Sequence, residues 1–324
     1  GSPVFRNPDN TPKTNVTARV YDITSPSGEL SRFNQGGTAL SFGLGTKLEG
    51  LAPTFETMFY RLSRKAGIPD KEAAVMLPSF RKFVDVAGMK DVEFGELVRD
   101  SLVNGRDIKG MATTMGEKTR RMWLAGINAD AGNASWARTM MTLIAHENGH
   151  LVDHLYNSGQ MVSARARKAY ENMLKWKNTA SAEEISDTLK LSAEMLLPKE
   201  WQKLPEMQEL LSAKDGTEAL ATLHGIFALS SHAKGFDAEI GMSLLPAGPR
   251  GFFRTLAEYG RSFTRVLKNL WFFGGKTEKA LQIRELQENF KQMQKGVQTA
   301  SENLVKLQKL MSYDPSDYTQ IKLS

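Results

Sequence analysis

The sequence predicts a mainly α protein of α+β type, in which helices dominate and a small sheet packs on one of them. Three observations carry this. From about Leu51 onward, apolar residues recur at helical spacing through most of the chain. One β-rich run, Arg121 to Ile127, stands directly ahead of a long helical stretch. The segment from residue 276 carries a heptad pattern of coiled-coil type.

The elements follow in order. Residues 1–50 are rich in Asn, Thr, Ser, Gly and Pro, with one β-like run from Val16 to Ile23, and read as an extended N-terminal arm. Phe55, Met58, Phe59 and Leu62 fall at i, i+3, i+4 and i+7 and open the first helix. Further helices are expected over 71–84 and 93–103, the latter stopped by Asn104-Gly105. After the strand at 121–127, Ser135 serves as an N-cap and Asn157-Ser158-Gly159 as a terminator, enclosing a helix of roughly 20 residues. Helices then follow at about 161–177, 182–197, 205–214 and 217–233. A break at 245–251 precedes another at about 252–272. Residues 51–275 thus form the main domain, and 276–324 a heptad-patterned helix and tail. The seam of Ile283, Leu286, Phe290, Met293, Val297, Ala300, Leu304, Leu307 and Met311 needs a surface to cover it. Either a coiled-coil partner or self-association through 276–312, or the chain's own domain, would supply it.

Composition narrows the function. A chain of 324 residues with 41% hydrophobic and 24% charged residues buries a core without disulfides. It has no cysteine, so any transition metal must be held by His, Asp or Glu. The net charge of +6 is spread along the chain, which argues against nucleic acid as a partner. The densest basic stretch, Arg165 to Lys168, reads as a solvated helix face. No run of about 20 apolar residues is present, so no transmembrane segment is expected. Gly1-Ser2-Pro3 reads as a cloning remnant and no signal peptide is legible, which leaves localisation open.

The chemistry concentrates at His146-Glu147-Asn148-Gly149-His150. Histidines four apart on a helix share a face, separated by about 6 Å of rise, and both imidazoles reach one tetrahedral Zn²⁺. The intervening glutamate points to the neighbouring side, where it can take a proton from a metal-activated water as that water attacks a carbonyl. With five histidines in the chain, composition alone yields this pattern in about 1 of 200 shuffled sequences. Gly149 leaves room for another element to approach the ligand helix. His154 continues the series, but lies about 12 Å along the helix from His146, too far for the same ion. It is expected in a supporting or packing position. Asp153, one turn after His150, either accepts that imidazole's second ring proton or is a solvated helix charge.

A strand, a connection and then Leu143 to Asp153, with the form H-E-x-G-H-x-x-D, resembles the active-site core of zincin metallopeptidases. That form also resembles gluzincin-like peptidases of bacterial toxins and peptidase domains in large polyvalent proteins of phages and mobile elements. The matching motif spans about 35 residues, and Asn148 departs from the hydrophobic residue common there. The resemblance implies a zincin-like core, a Zn²⁺ cofactor, peptide or protein substrates and Glu147 as the catalytic base. It also implies a third zinc ligand on a later helix. Glu258, in the apolar run Thr255 to Phe263, is the expected one, ahead of Glu239, His224 and His232. An oxyanion-stabilising group is also implied, with Tyr259 the candidate and Tyr156 beside it. The alternative function is a structural, virion- or secretion-associated assembly module that keeps the zinc helix. A basic nucleic-acid-associated domain with structural zinc ranks third.

Overall fold

The computed structural model describes residues 48–243 and 277–311, apart from 53, 98–101, 104–105, 108, 116–118, 128, 130–131 and 214–215. In chain order the elements are β1 (Leu48–Leu51), α1 (Phe55–Lys65), α2 (Asp70–Val86), β2 (Glu93–Leu97), β3 (Leu102–Val103), β4 (Arg106–Asp107), β5 (Gly110–Met115) and β6 (Thr119–Ala125). Then follow α3 (Asn133–Asn157), α4 (Ala164–Thr179), α5 (Ala182–Leu196), α6 (Lys199–Gln202), α7 (Pro205–Leu211), α8 (Gly216–Ser243) and α9 (Thr277–Met311). The mainly helical class stands. The β-like run at 16–23, the stop at 104–105 and the helix expected at 252–272 lie outside the described residues.

Local chemistry explains three of the helix starts. Thr54 accepts the Thr57 amide at the start of α1, Ser163 accepts the Ala166 amide at the start of α4, and Ser181 with Glu184 closes a capping box on α5. The motif helix α3 departs from expectation at its start. It begins at Asn133 behind Gly132, whose φ of 90° suits glycine, so Ser135 lies inside the helix and caps nothing. Its end matches, with Ser158 as C-cap and Gly159 at φ 72°.

Residues 93–97 correct the helix expected at 93–103. They form the second strand of a four-stranded sheet of order β1-β2-β6-β5. β2 runs parallel to β6, Glu93 opposite Arg121 through Leu97 opposite Ala125, and antiparallel to β1. The Trp123 ring packs over Gly95, where a Cβ would collide with it. That long-range pairing outweighs the local helical pattern. β1 also draws residues 48–50 of the expected arm into the sheet.

Helices pack against this sheet around a continuous core that runs from Ala52 to Leu304. Phe59 meets Phe80 at 4.8 Å and Trp136 at 5.7 Å between ring centroids, and Phe236 bridges Phe80 and Trp201. The heptad seam of α9 is part of the same core: Ile283, Leu286, Phe290, Met293, Val297, Ala300 and Leu304 are all buried. The surface that covers it belongs to this chain. A Cβ on Gly88 would lie 2.7 Å from Val297 Cγ1, and the Phe290 ring packs on Phe227 of α8 at 5.6 Å. Asn172 of α4 donates to Asn289, and Gln294 and Gln298 both donate to the Val86 carbonyl at the end of α2. Ser301 donates to Asp91, which also holds the fully buried Arg120. The expectation of a coiled-coil partner through 276–312 is corrected accordingly, because the apolar stripe is spent on internal packing.

Candidate metal centre

The two longest internal helices, α3 and α8, cross where neither has bulk. A Cβ on Gly149 would sit 2.6 Å from the Ala221 Cα, and one on Gly225 would sit 3.2 Å from the His146 backbone nitrogen. The two glycines therefore set the closeness of the crossing, the approach expected of Gly149. Close approach brings the first turn of α8 level with the histidine pair. His146 Nε2 lies 3.1 Å from Glu218 Oε2, His150 Nε2 lies 3.6 Å from the same oxygen, and the two Nε2 atoms are 3.3 Å apart.

These three atoms form a nearly equilateral triangle. Ligands about 2.0–2.1 Å from a tetrahedral zinc ion stand about 3.3–3.4 Å from one another. The observed edges match one face of that tetrahedron, and the set of two imidazoles and one carboxylate is a donor set zinc accepts. Among the described residues this is the one group of three or more such side chains whose ligand atoms lie within 4.8 Å of one another. The residues present therefore fit the ion.

Surrounding groups prepare the triad. Thr222, one turn beyond Glu218 and buried, places its hydroxyl 3.3 Å from His146 Nδ1. With an ion bound, a proton on Nδ1 would donate to Thr222 and turn the Nε2 lone pair to the triangle. Hydrogen bonds from His146 and His150 hold the Glu218 carboxyl far below the usual carboxylate range. Burial works against a charged imidazole at His150. The Glu218 hydrogen bond, with the charges of Glu147, Glu218 and Asp153, nevertheless carries its pKa above the ordinary value. The Glu218 side chain is 50% exposed, so the triad opens to solvent on that side.

Glu147 stands apart from the triangle, buried under β5. A Cβ on Gly110 would meet its Oε1 at 2.7 Å. Burial raises its pKa, and the His146 and His150 charges pull it back in part.

Of the residues singled out from sequence, His146, Glu147 and His150 come together here. Glu258 and Tyr259 lie outside the described residues, as does the side chain of Glu239. Glu218, on a later helix, completes the triangle, and sequence reasoning passed over it. Its one local trace is the pattern Glu218, Ala221, Thr222, Gly225, which puts a carboxylate, a hydroxyl and two small residues along one side of a helix. His224 is fully buried against Phe290 at 5.1 Å, and His232 packs edge-on to Phe83. Burial pushes the His224 pKa down to about 4.

Asp153 is neither a solvated charge nor hydrogen-bonded to His150. It accepts from Tyr170 Oη at 2.6 Å and from Asn157 at 3.0 Å, which pins α3 to α4. His154 is half-buried two turns beyond His146 and outside the triangle. Tyr156 stacks on Tyr170 at 4.8 Å. Arg165, Arg167 and Lys168 line an exposed face of α4.

Comparison with family models, with curated proteins and with solved structures finds no significant match to this chain. The functional reading therefore rests on the site itself. Among the described residues no helix is long and apolar enough to cross a membrane.

Proposed function

We propose that this chain is a zinc-dependent hydrolase of peptide bonds, with His146, His150 and Glu218 as the metal ligands and Glu147 as the general base. The observation that carries this reading is the triangle of 3.1, 3.3 and 3.6 Å, the footprint of one tetrahedral ion, with a second carboxylate beside it that is not part of it. A bound zinc ion would supply Lewis-acid activation of water and of the scissile carbonyl.

The chain's own groups do the rest. A structural zinc site is closed by four protein ligands, whereas three leave a position open. Glu147 is adjacent in sequence to one ligand yet held away from the triangle by β5, so it is free to take a proton without coordinating. Its raised pKa suits that task, because a base poised nearer neutrality also returns the proton to a leaving amine. Thr222 fixes the ring of His146. The zincin-like arrangement suggested by H-E-x-G-H-x-x-D belongs to the same proposal, with Glu218 in the place expected of Glu258.

Peptides are the favoured substrate class because β5 is an edge strand of the sheet beside Glu147. Among the described residues its outer side pairs with no strand, and an unpaired edge accepts an extended backbone.

Glu147→Gln tests the reading. It keeps size and helix propensity but removes the proton acceptor. Zinc content by elemental analysis and the melting temperature should stay close to wild type, while cleavage of a broad peptide library falls by orders of magnitude. Equal cleavage by zinc-loaded wild type and Glu147→Gln would refute general-base hydrolysis at this site.

A further inference from the structure

Three carbonyls at the end of α2 are taken by side chains from three distant parts of the chain. A helix leaves its last carbonyls without intrahelical partners. Gln294 and Gln298 of α9 donate to the Val86 carbonyl at 2.8 and 2.7 Å, and Arg120 of β6 donates to that of Gly88 at 2.8 Å. Between them, Asn148 of α3 donates through Nδ2 to the Ala87 carbonyl at 3.1 Å. Each anchor holds its own oxygen, so the turn keeps the others when one is lost. Asn148 follows Glu147 directly and is fully buried. Its Oδ1 has no partner among the described residues. A buried amide with part of its bonding unmet costs stability that an apolar side chain of like size would not. What the amide adds in return is direction.

We propose that Asn148 is a positioning residue: its bond to the Ala87 carbonyl sets the rotation of α3 about its own axis and so aims Glu147 and the histidine pair. This rests on the peptide-hydrolase reading and adds the element that holds its geometry. At about 100° per residue, Asn148 stands about 160° round the helix from both His146 and His150, and about 100° from Glu147. The back of α3 is thus tied to α2 while its front carries the histidines toward α8. On that front the contact is glycine against helix backbone, Gly149 on Ala221 and Gly225 on His146. Such a contact sets how closely two helices approach but offers no side chain to stop one of them turning. Apolar packing is non-directional, whereas a hydrogen bond has a preferred geometry. Leverage makes the stop matter. Side-chain tips stand about 5–6 Å from a helix axis, so a turn of about 10° carries them about 1 Å. A displacement of about 1 Å can cost about 100-fold in rate.

The test compares Asn148→Leu, which keeps the bulk but not the donor, with Gln298→Leu, which removes one donor from the neighbouring carbonyl and leaves Gln294 on it. In the full chain loaded with cobalt(II), the visible absorption bands report the arrangement of the metal's ligands. Asn148→Leu should shift those bands, and Gln298→Leu should match wild type. With zinc bound and well below the melting temperature, kcat of Asn148→Leu on a peptide that wild type cleaves should fall by about 10–100-fold, with KM within about twofold, because aim rather than binding is lost. Asn148→Ala, which opens the Ala87 carbonyl to water, takes its place if Asn148→Leu does not fold. A lower melting temperature with wild-type bands and wild-type kcat makes Asn148 packing alone and overturns the inference. So does either readout left at the wild-type value in a protein that cleaves peptides, or an equal change in Gln298→Leu. Should wild type bind cobalt but cleave no peptide, the hydrolase reading fails and the bands alone decide the role of Asn148. A wild type that binds no metal sinks both.

Discussion

Arg120 and Asp91 face each other with no exposed surface, whereas at the α3–α8 crossing two imidazoles and a carboxylate turn acceptor atoms toward a single point. The first cluster pairs most of its donors with acceptors, although Arg120 Nη1 has no partner among the described residues. Arg120 forks onto Asp91 and reaches the Gly88 carbonyl at 2.8 Å, and Ser301 adds a donor from α9. The second brings two imidazole nitrogens and a carboxylate oxygen, each able to ligate a cation, within 3.6 Å of one another. The first is wholly buried and the second opens to solvent at Glu218, and they differ further in the kind of atom each gathers. A matched cluster such as the first specifies how elements dock, here the placement of α9, while the second offers a donor set that an ion would fit.

The sharpest break would come from the matched side. Asp91→Ala leaves the Arg120 guanidinium buried without its carboxylate and should cost about 3–5 kcal/mol of unfolding free energy in urea titration. Zinc affinity, read by chelator competition, should barely move. Parallel losses in both would mean that the two clusters are one unit.

His224, on α8 and packed against α9, adds a dependence on pH. Its folded pKa of about 4 lies below the ordinary value of 6.5. The unfolded chain therefore binds a proton through that window and the folded one does not. The stability it carries is fully present above pH 6.5 and is lost as pH falls toward 4, amounting to about 3 kcal/mol. In metal-free protein, His224→Phe should flatten that acid slope. A slope identical to wild type would assign the acid sensitivity elsewhere.

At the second cluster, Glu218→Ala should weaken zinc binding by more than the roughly 100-fold that an outer-shell change costs, with Glu258→Ala leaving it intact. The opposite pattern would transfer the ligand role to Glu258. The smallest expected effect is Thr222→Val, which keeps shape but removes the acceptor for His146 Nδ1. It should reduce zinc affinity by about 10–100-fold at unchanged stoichiometry. No change would leave Thr222 as packing alone.

By itself the sequence determined what is local. The strand at β6, the motif helix with its stop at Asn157-Ser158-Gly159, and the phase of the α9 seam follow from periodicity and end chemistry, which act within a few residues. The identities of His146, Glu147 and His150 were legible for the same reason, since a four-residue step on one helix already sets their geometry. Only the tertiary structure decided the rest. Residues 93–97 became a strand because β1 and β6 flank them and Trp123 covers Gly95. The α9 seam turned inward because its own chain supplied the covering surface. Glu218 joined His146 from 72 residues away because Gly149 and Gly225 let two helices touch. Each of these depends on which distant surfaces meet, and a contact of that kind leaves little more than a small residue in the sequence that forms it.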